Sequence, residues 1–190
     1  MRIVFQSLLL VFLVVESTFA QGTFAFWNYH PTGLDAPVFD AAGNQLAGTS
    51  YVAVLYGGAR PDALTIAQTG PADMPPESFT AVFNGQPGYF SASGYVIVDD
   101  APGGYAWLQV RAWDLRLGAS YDDVVRLGVG GYGASPVFQA RGGDPLGAIP
   151  PQPLLGLQSF SLVPEPGTGR CWRSVLEPCS GNAAARFKKK

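Results

Sequence analysis

The chain has few of the side chains that most enzymes use for catalysis. Its 190 residues include 1 histidine, His30, and 2 cysteines, Cys171 and Cys179. A Ser-His-Asp triad would need His30, and no G-x-S-x-G turn is present to hold a serine. We therefore expect no histidine-based active site, with His30 an exposed turn residue. The C-x-x-C spacing of zinc sites is also absent.

Lysine is missing from the body of the chain. All lysines are at positions 188–190, and between residues 21 and 168 the basic side chains are Arg60, Arg111, Arg116, Arg126 and Arg141. The formal net charge of -2 therefore conceals a more acidic body. Phosphate backbones are bound mainly through Lys and Arg, so this composition argues against nucleic acid as a partner.

The N-terminus has the pattern of an export signal. Arg2 is followed by an apolar run over residues 8–15 and by small residues around Ala20. We expect the export machinery and signal peptidase to act on residues 1–20. A retained anchor is the alternative, but the run between Gln6 and Glu16 is short for a membrane span.

Removal of the signal leaves about 170 residues, enough for one domain, which we place at residues 21–163. Both cysteines lie beyond it. Export permits a Cys171–Cys179 disulfide, but that bond would close only a small loop.

Short runs rich in Val, Phe, Tyr, Trp and Thr alternate with Gly, Pro, Asn and Asp clusters, which is typical of an all-β domain. We predict an antiparallel β-sandwich, of jelly-roll or immunoglobulin-like type, with long Gly/Pro-rich loops at residues 57–77 and 140–153. Helix is expected at two places only, as one turn near residues 61–68 and as a short helix at residues 121–127. The strands are expected at residues 23–29, 37–40, 50–56, 79–83, 94–98, 105–113 and 157–163.

The strand at residues 105–114 has the clearest pattern. Its even positions are aliphatic from Ala106 to Ala112, whereas Tyr105, Trp107, Gln109, Arg111 and Trp113 share the other face. Tyr105, Trp107, Arg111 and Trp113 form a candidate ligand platform on which sugar rings would stack. The favoured alternative is that a second sheet or a long loop covers these aromatics.

Paired acids suggest a second kind of site. Asp99-Asp100 and Asp122-Asp123 are candidates for the two carboxylates of glycoside hydrolysis. Adjacent residues of a strand point to opposite faces, so turn or cap roles are favoured.

Loop oxygens of Asp35, Asp40 and Asn44 could gather around calcium. No calcium-loop pattern is present, and a hydrogen-bonded turn at residues 41–44 is favoured. We expect no cofactor and no metal.

The sequence Val163-Pro164-Glu165-Pro166, near a basic end at Lys188-Lys189-Lys190, resembles the sorting signal of exported bacterial PEP-CTERM proteins. The body is similar to a set of these proteins of unassigned function over residues 36–40, 48–56 and 107–114. The resemblance implies export to the periplasm, cell surface or medium of a Gram-negative-type bacterium. In that family a membrane-spanning helix follows the motif, and a membrane protease is thought to process this region.

The chain departs from that pattern after Thr168. Residues 169–187 contain Arg170, Arg173 and Glu177, and each charge would cost about 2.5 to 3.5 kcal/mol in a bilayer. We hypothesise that the tail beyond Thr168 is read out of frame or has decayed, so that residues 164–190 form a disordered basic tail without a stable membrane anchor. Translation of the other two frames after Thr168 tests this.

Two functions follow as expectations. The first is a non-catalytic protein of the cell envelope or extracellular matrix with a structural or adhesive role. The second is binding or hydrolysis of extracellular polysaccharide, with acids drawn from Asp99, Asp100, Asp114, Asp122 and Asp123.

Overall fold

A computed structural model describes residues 21–69, 72–73, 77–79, 86–92, 94–101, 104–146 and 148–163. These residues form mostly strands, with one short helix, and their sheets are open, so the predicted all-β class is confirmed. The strands are β1 Gly22–Ala25, β2 Tyr29–His30, β3 Leu34–Asp35, β4 Val38–Phe39, β5 Gly48–Gly58, β6 Thr65–Ile66, β7 Gln68–Thr69, β8 Ala72–Asp73, β9 Glu77–Phe79, β10 Val96–Val98, β11 Tyr105–Asp114, β12 Tyr132–Ala134, β13 Phe138–Arg141, β14 Gln152–Pro153 and β15 Phe160–Ser161, and the helix is α1 Tyr121–Leu127.

The longest strands, β5 and β11, form the centre of the first sheet. They pair antiparallel from Trp107 opposite Gly58 to Asp114 opposite Tyr51. Strands β12 and β13 pair with the other edge of β11, and β6 and β9 pair with the other edge of β5. We call this six-stranded unit the large sheet.

The second sheet has the strand order β14-β1-β10-β7-β8. Two pairings depart from the antiparallel arrangement that we expected, because β1–β14 and β4–β15 are parallel. Both arise where the C-terminal part of the described chain runs alongside strands from its N-terminal part. Each covers only two residue pairs, which short irregular segments can supply without a crossover helix.

One hydrophobic cluster joins the two sheets. It includes Leu55, Leu108 and Val110 of the large sheet and Phe24 and Val96 of the second sheet, all of them fully buried. The sheets come close at Gly57, where an added Cβ would lie 2.6 Å from a Val98 methyl carbon. The alternation of β11 therefore places its aliphatic face in this core.

A second, smaller cluster lies on the opposite face of the large sheet, beneath α1. It consists of Val52, Val54, Tyr56, Trp113 and Val124. Helix α1 was predicted at residues 121–127, and the structure confirms these bounds.

The predicted loop at residues 57–77 is wrong in part, because β5 runs to Gly58 and β6, β7 and β8 lie within it. These are two-residue strands whose pairing depends on neighbouring strands and not on local pattern. The helical turn expected near residues 61–68 is also wrong, because these residues form a turn followed by β6 and the start of β7. Residues 140–153 are mainly loop as predicted, apart from the end of β13 and β14. Of the predicted strand at residues 79–83, only Phe79 is among the described residues, and it ends β9. Residues 80–83 lie outside the described ranges.

Candidate functional site

The outer face of β11 carries the candidate ligand platform. Residues Ala106, Leu108, Val110 and Ala112 are fully buried in the main core. Tyr105, Trp107, Gln109, Arg111 and Trp113 therefore share the opposite face, as the sequence predicted. This face is divided into a covered half around Trp113 and an open half around Tyr105.

The covered half is packed beneath α1. Trp113 is only 3% exposed, and its indole N–H donates to the Gly118 carbonyl at 3.2 Å. Tyr121 of α1 meets Trp113 edge to face, with ring centroids 6.4 Å apart. Trp113 is thus a core residue. The expectation that the aromatics are covered is right here, although a helix covers them and not a second sheet or a long loop.

Arg111 lies between two tyrosines in the covered half. Its guanidinium carbon is 3.8 Å from the Tyr56 ring centroid and 5.2 Å from that of Tyr121. Its Nε donates to Gln109 Oε1 at 2.9 Å, and the exposed Asp122 carboxylate is 4.0 Å away. Burial raises the pKa of Tyr56 and Tyr121, while the positive charge of Arg111 opposes that rise. Arg111 therefore stabilises the packing of α1 on the sheet through cation–π contacts.

The open half contains the other two platform residues. Tyr105 is 48% exposed, and Trp107 is half-buried and belongs to neither core cluster. Strand β13 lies beside them, with Arg141 opposite Tyr105 and Gln139 opposite Trp107. Directly opposite residues of an antiparallel pair share a face, so Gln139 and Arg141, both exposed, border the two aromatic rings.

The sequence interpretation missed this border. Neither β12 nor β13 was among the predicted strands. The signal was present at Phe138-Gln139-Ala140-Arg141, where alternate residues are buried and exposed in the structure.

Among the described residues, the candidate acids have different hydrogen-bond and ion-pair partners. Asp99 accepts from Gln21 at 3.0 Å, and Asp100 is exposed beside it. Asp123 accepts from Ser120 at 2.7 Å and pairs with Arg126 at 3.2 Å. The Ser120 hydroxyl and the Arg126 charge lower the pKa of Asp123. Asp123 is therefore a residue of the first turn of α1 that contacts the N-cap Ser120, and it is not itself the cap.

Asp114 is the most buried of the candidate acids, at 5% exposure. Burial alone would raise its pKa. The hydrogen bonds and charge of Arg116 outweigh burial and lower the pKa of Asp114. Nε of Arg116 is 2.9 Å from Oδ1 and 3.0 Å from Oδ2, and the Arg116 backbone N–H also donates to Oδ1. This carboxylate holds a turn and stays ionised.

The candidate calcium ligands separate into two groups. Oδ1 of Asp40 accepts from the N–H groups of Ala42 and Asn44 at 2.8 Å each, which confirms the predicted turn. Asp35 instead accepts from the Tyr89 hydroxyl at 2.8 Å. In the part of the chain that the structure describes, no three His, Cys, Asp or Glu side chains group as metal ligands.

His30 ends β2 and opens the turn at residues 30–33, because the Gly33 N–H donates to the His30 carbonyl at 3.2 Å, which confirms the expected turn position. The expected exposure is wrong, because His30 is half-buried. Its ring stacks on Trp27 at 5.6 Å, and its Nδ1 is 2.6 Å from the Thr32 hydroxyl oxygen.

Val163 is the last described residue. Its N–H donates to the Tyr132 carbonyl at 2.7 Å, and its carbonyl accepts from Gly131 at 2.9 Å. The other sorting-motif residues Pro164, Glu165 and Pro166, both cysteines and residues 1–20 lie outside the described residues. Among the residues with described structure, no helix is long and apolar enough to cross a bilayer.

Comparison of the chain with protein-family models, curated proteins and solved structures gives no match in any of the three.

Proposed function

We propose that this chain is an exported, non-catalytic β-sandwich protein of the cell envelope or extracellular matrix, with a structural or adhesive role. The sandwich arrangement is supported by the cluster that the large and second sheets share. The export signal at residues 1–20 and the PEP-CTERM-like motif at residues 163–166 rest on the sequence.

The observation that carries a contact function is the open half of the β11 face. Tyr105 is 48% exposed, and Trp107 lies outside both core clusters. Single exposed aromatic side chains are ordinary, as Tyr95 at 43% exposure shows, but two neighbouring aromatic residues on one strand face form a contiguous surface that a partner can contact. Their faces suit the C–H groups of sugar rings, because an aromatic face carries partial negative charge.

Two of the five candidate acids, Asp114 and Asp123, support a role without turnover. A glycoside hydrolase needs one acid that keeps its proton near neutral pH, which requires a raised pKa. Asp114 has a lowered pKa because Arg116 outweighs the effect of burial, and the pKa of Asp123 is lowered by Ser120 and Arg126. Neither side chain is suited to be that general acid.

A sedimentation assay tests the contact function. Mature protein is mixed with insoluble extracellular matrix from a biofilm, and both bound protein and released reducing sugar are measured. We expect retention on the matrix without sugar release. Release of sugar that stops on substitution of an exposed candidate acid, as in Asp99→Asn, Asp100→Asn or Asp122→Asn, would instead establish the hydrolase.

Fractionation of a Gram-negative host tests export. We expect the mature chain to begin at Gln21 and to be found outside the cytoplasm. A charge in the apolar run, as in Leu10→Arg, should leave the precursor uncleaved in the cytoplasm. Cytoplasmic location of the unaltered chain would contradict export.

A further inference from the structure

The open half of the large sheet combines two aromatic rings with an arginine that has no acidic partner among the described residues. Tyr105 and Trp107 are two positions apart on β11, so their side chains leave the strand about 7 Å apart. Two sugars of one chain can therefore each meet a ring. Gln139 and Arg141 follow the same line on β13.

Tyr105, Trp107, Gln139 and Arg141 together form a strip on this face of the sheet. The charge of Arg141 distinguishes the strip from an ordinary apolar patch. Arg60, Arg111, Arg116 and Arg126 each lie within 4.0 Å of a carboxylate. Within the described part of the chain, Arg141 has no such pair, although it is exposed and sits in an acidic body. An unpaired guanidinium is a ready partner for an external carboxylate, which it can bind through two parallel hydrogen bonds.

A depression of about 200 Å³ adjoins the strip at Arg141. Gly104, Gly142 and Gly143 line it, so backbone and not side chain forms much of its wall. Asp144 lines it too, but its Oδ1 accepts from the Leu146 N–H at 2.8 Å, and no ion pair joins it to Arg141 within these described residues. The guanidinium thus has space on the depression side as well as beside Tyr105.

We propose that Tyr105, Trp107, Gln139 and Arg141 form a binding strip for an acidic polysaccharide, with sugar rings on the aromatic side chains and a uronate carboxylate on Arg141. Gln139 is placed to hydrogen-bond a sugar hydroxyl near Trp107. This inference rests on the proposed contact function and assigns it a ligand class and a site.

The test uses polygalacturonate and its fully methyl-esterified form, which share one backbone and differ in charge. Binding of mature protein is measured by affinity electrophoresis and by calorimetry. We expect polygalacturonate to bind, and Arg141→Gln to weaken binding about tenfold or more, because a charge-assisted contact is lost. The methyl ester should bind weakly to both proteins.

Matched variants separate ring, charge and folding effects. Trp107→Leu should lose binding while Trp107→Phe keeps most of it, since only phenylalanine retains a ring. Tyr105→Ser, at a half-exposed position, tests the second ring with little effect on folding. Arg126→Gln removes another exposed arginine, on α1, and should leave affinity unchanged.

The outcomes are distinct. Equal binding of polygalacturonate and its methyl ester would contradict the proposal that the strip binds an acidic polysaccharide. Unchanged affinity in both Arg141→Gln and Trp107→Leu would contradict it too. Protein that is retained on biofilm matrix but ignores polygalacturonate would refute this ligand and leave the contact function intact. Failure to bind either material would refute both.

Discussion

Two buried hydroxyl groups, those of Thr23 and Ser135, differ in whether they have hydrogen-bond partners among the described residues. Thr23 is 1% exposed, and its Oγ1 has no hydrogen-bond partner among the described residues. Ser135 is 2% exposed, but its Oγ accepts from the Val110 N–H at 3.0 Å and donates to the Pro136 carbonyl at 2.9 Å. The first hydroxyl carries a desolvation cost that no bond offsets, whereas the second satisfies a strand N–H.

We predict that Thr23→Val raises the free energy of unfolding by about 1 kcal/mol, because it removes an unsatisfied buried hydroxyl with little change of shape. Ser135→Ala, the matched control, should lower it by about 1 to 3 kcal/mol, because the Val110 N–H loses its acceptor. Urea denaturation at neutral pH measures both. A destabilising Thr23→Val would mean that Oγ1 has a partner in solution.

Asp114 gives a prediction of pH dependence. Burial opposes its ionisation, but the hydrogen bonds and charge of Arg116 outweigh burial, so its pKa is lowered in the folded protein. Its contribution to stability is therefore fully present above the unfolded pKa of about 3.9 and is lost as the pH falls through the folded value. Asp114→Asn should cost about 1 to 3 kcal/mol at pH 7.

Urea titrations between pH 7 and pH 3 check this prediction. The difference between the parent protein and Asp114→Asn should shrink toward the acid end of that range. Asp62→Asn is the control, since the Arg60 and Asp62 side chains are 72% and 63% exposed and exposed pairs contribute little. A difference that does not change with pH would show that packing, and not ionisation, explains the loss.

Among the elements, α1 decides which aromatic residues are accessible. Its 7 residues begin after the N-cap Ser120, whose hydroxyl accepts from the Asp123 N–H, and they are followed by the C-cap Gly128 in the left-handed conformation. A helix this short is marginal alone, so its caps and its packing on Trp113 hold it in place. The covered half of the β11 face thus depends on the two caps of one short helix.

We predict that Ser120→Ala destabilises the fold by about 1 kcal/mol through loss of the N-cap. In a protein whose only tryptophan is Trp113, the same change should increase quenching by acrylamide, because α1 covers the indole. Thr32→Ala is the control, since it removes a hydroxyl from the β2–β3 turn and should leave Trp113 quenching unchanged. Unchanged quenching in Ser120→Ala would show that α1 stays docked without its cap.

How far sequence predicts this fold differs between elements. The alternation at residues 105–113 predicted both faces of β11. Of the two places where the sequence suggested helix, residues 121–127 form α1, whereas residues 61–68 form a turn and short strands. Strands β6, β7 and β8 were not predicted, because two residues carry no periodicity and are paired only by tertiary context. The division of the aromatic face was also beyond sequence, since nothing local indicates where a seven-residue helix will dock.

At the scale of the whole molecule, the question is whether the two hydrophobic clusters unfold together. They lie on opposite faces of the large sheet and share its central strands, with Ala112 in the main cluster beside Trp113 in the smaller one. The last described segment adds a further tie, because Phe160 pairs with Val38 of β4 while Val163 bonds to Tyr132 of β12. Loss of β11 would expose both clusters at once.

We therefore predict one cooperative transition. Variants that retain only Trp27, which packs against the main cluster, or only Trp113, in the smaller cluster, report on the two regions separately. Their fluorescence midpoints in urea should each coincide with the far-ultraviolet circular dichroism of the same variant. That comparison is made within one protein because the substitutions themselves alter stability. A Trp113 transition that precedes loss of dichroism would show that α1 and the smaller cluster unfold before the main cluster. The aromatic side chains beneath α1 would then become accessible in addition to Tyr105 and Trp107 in the open half of the β11 face.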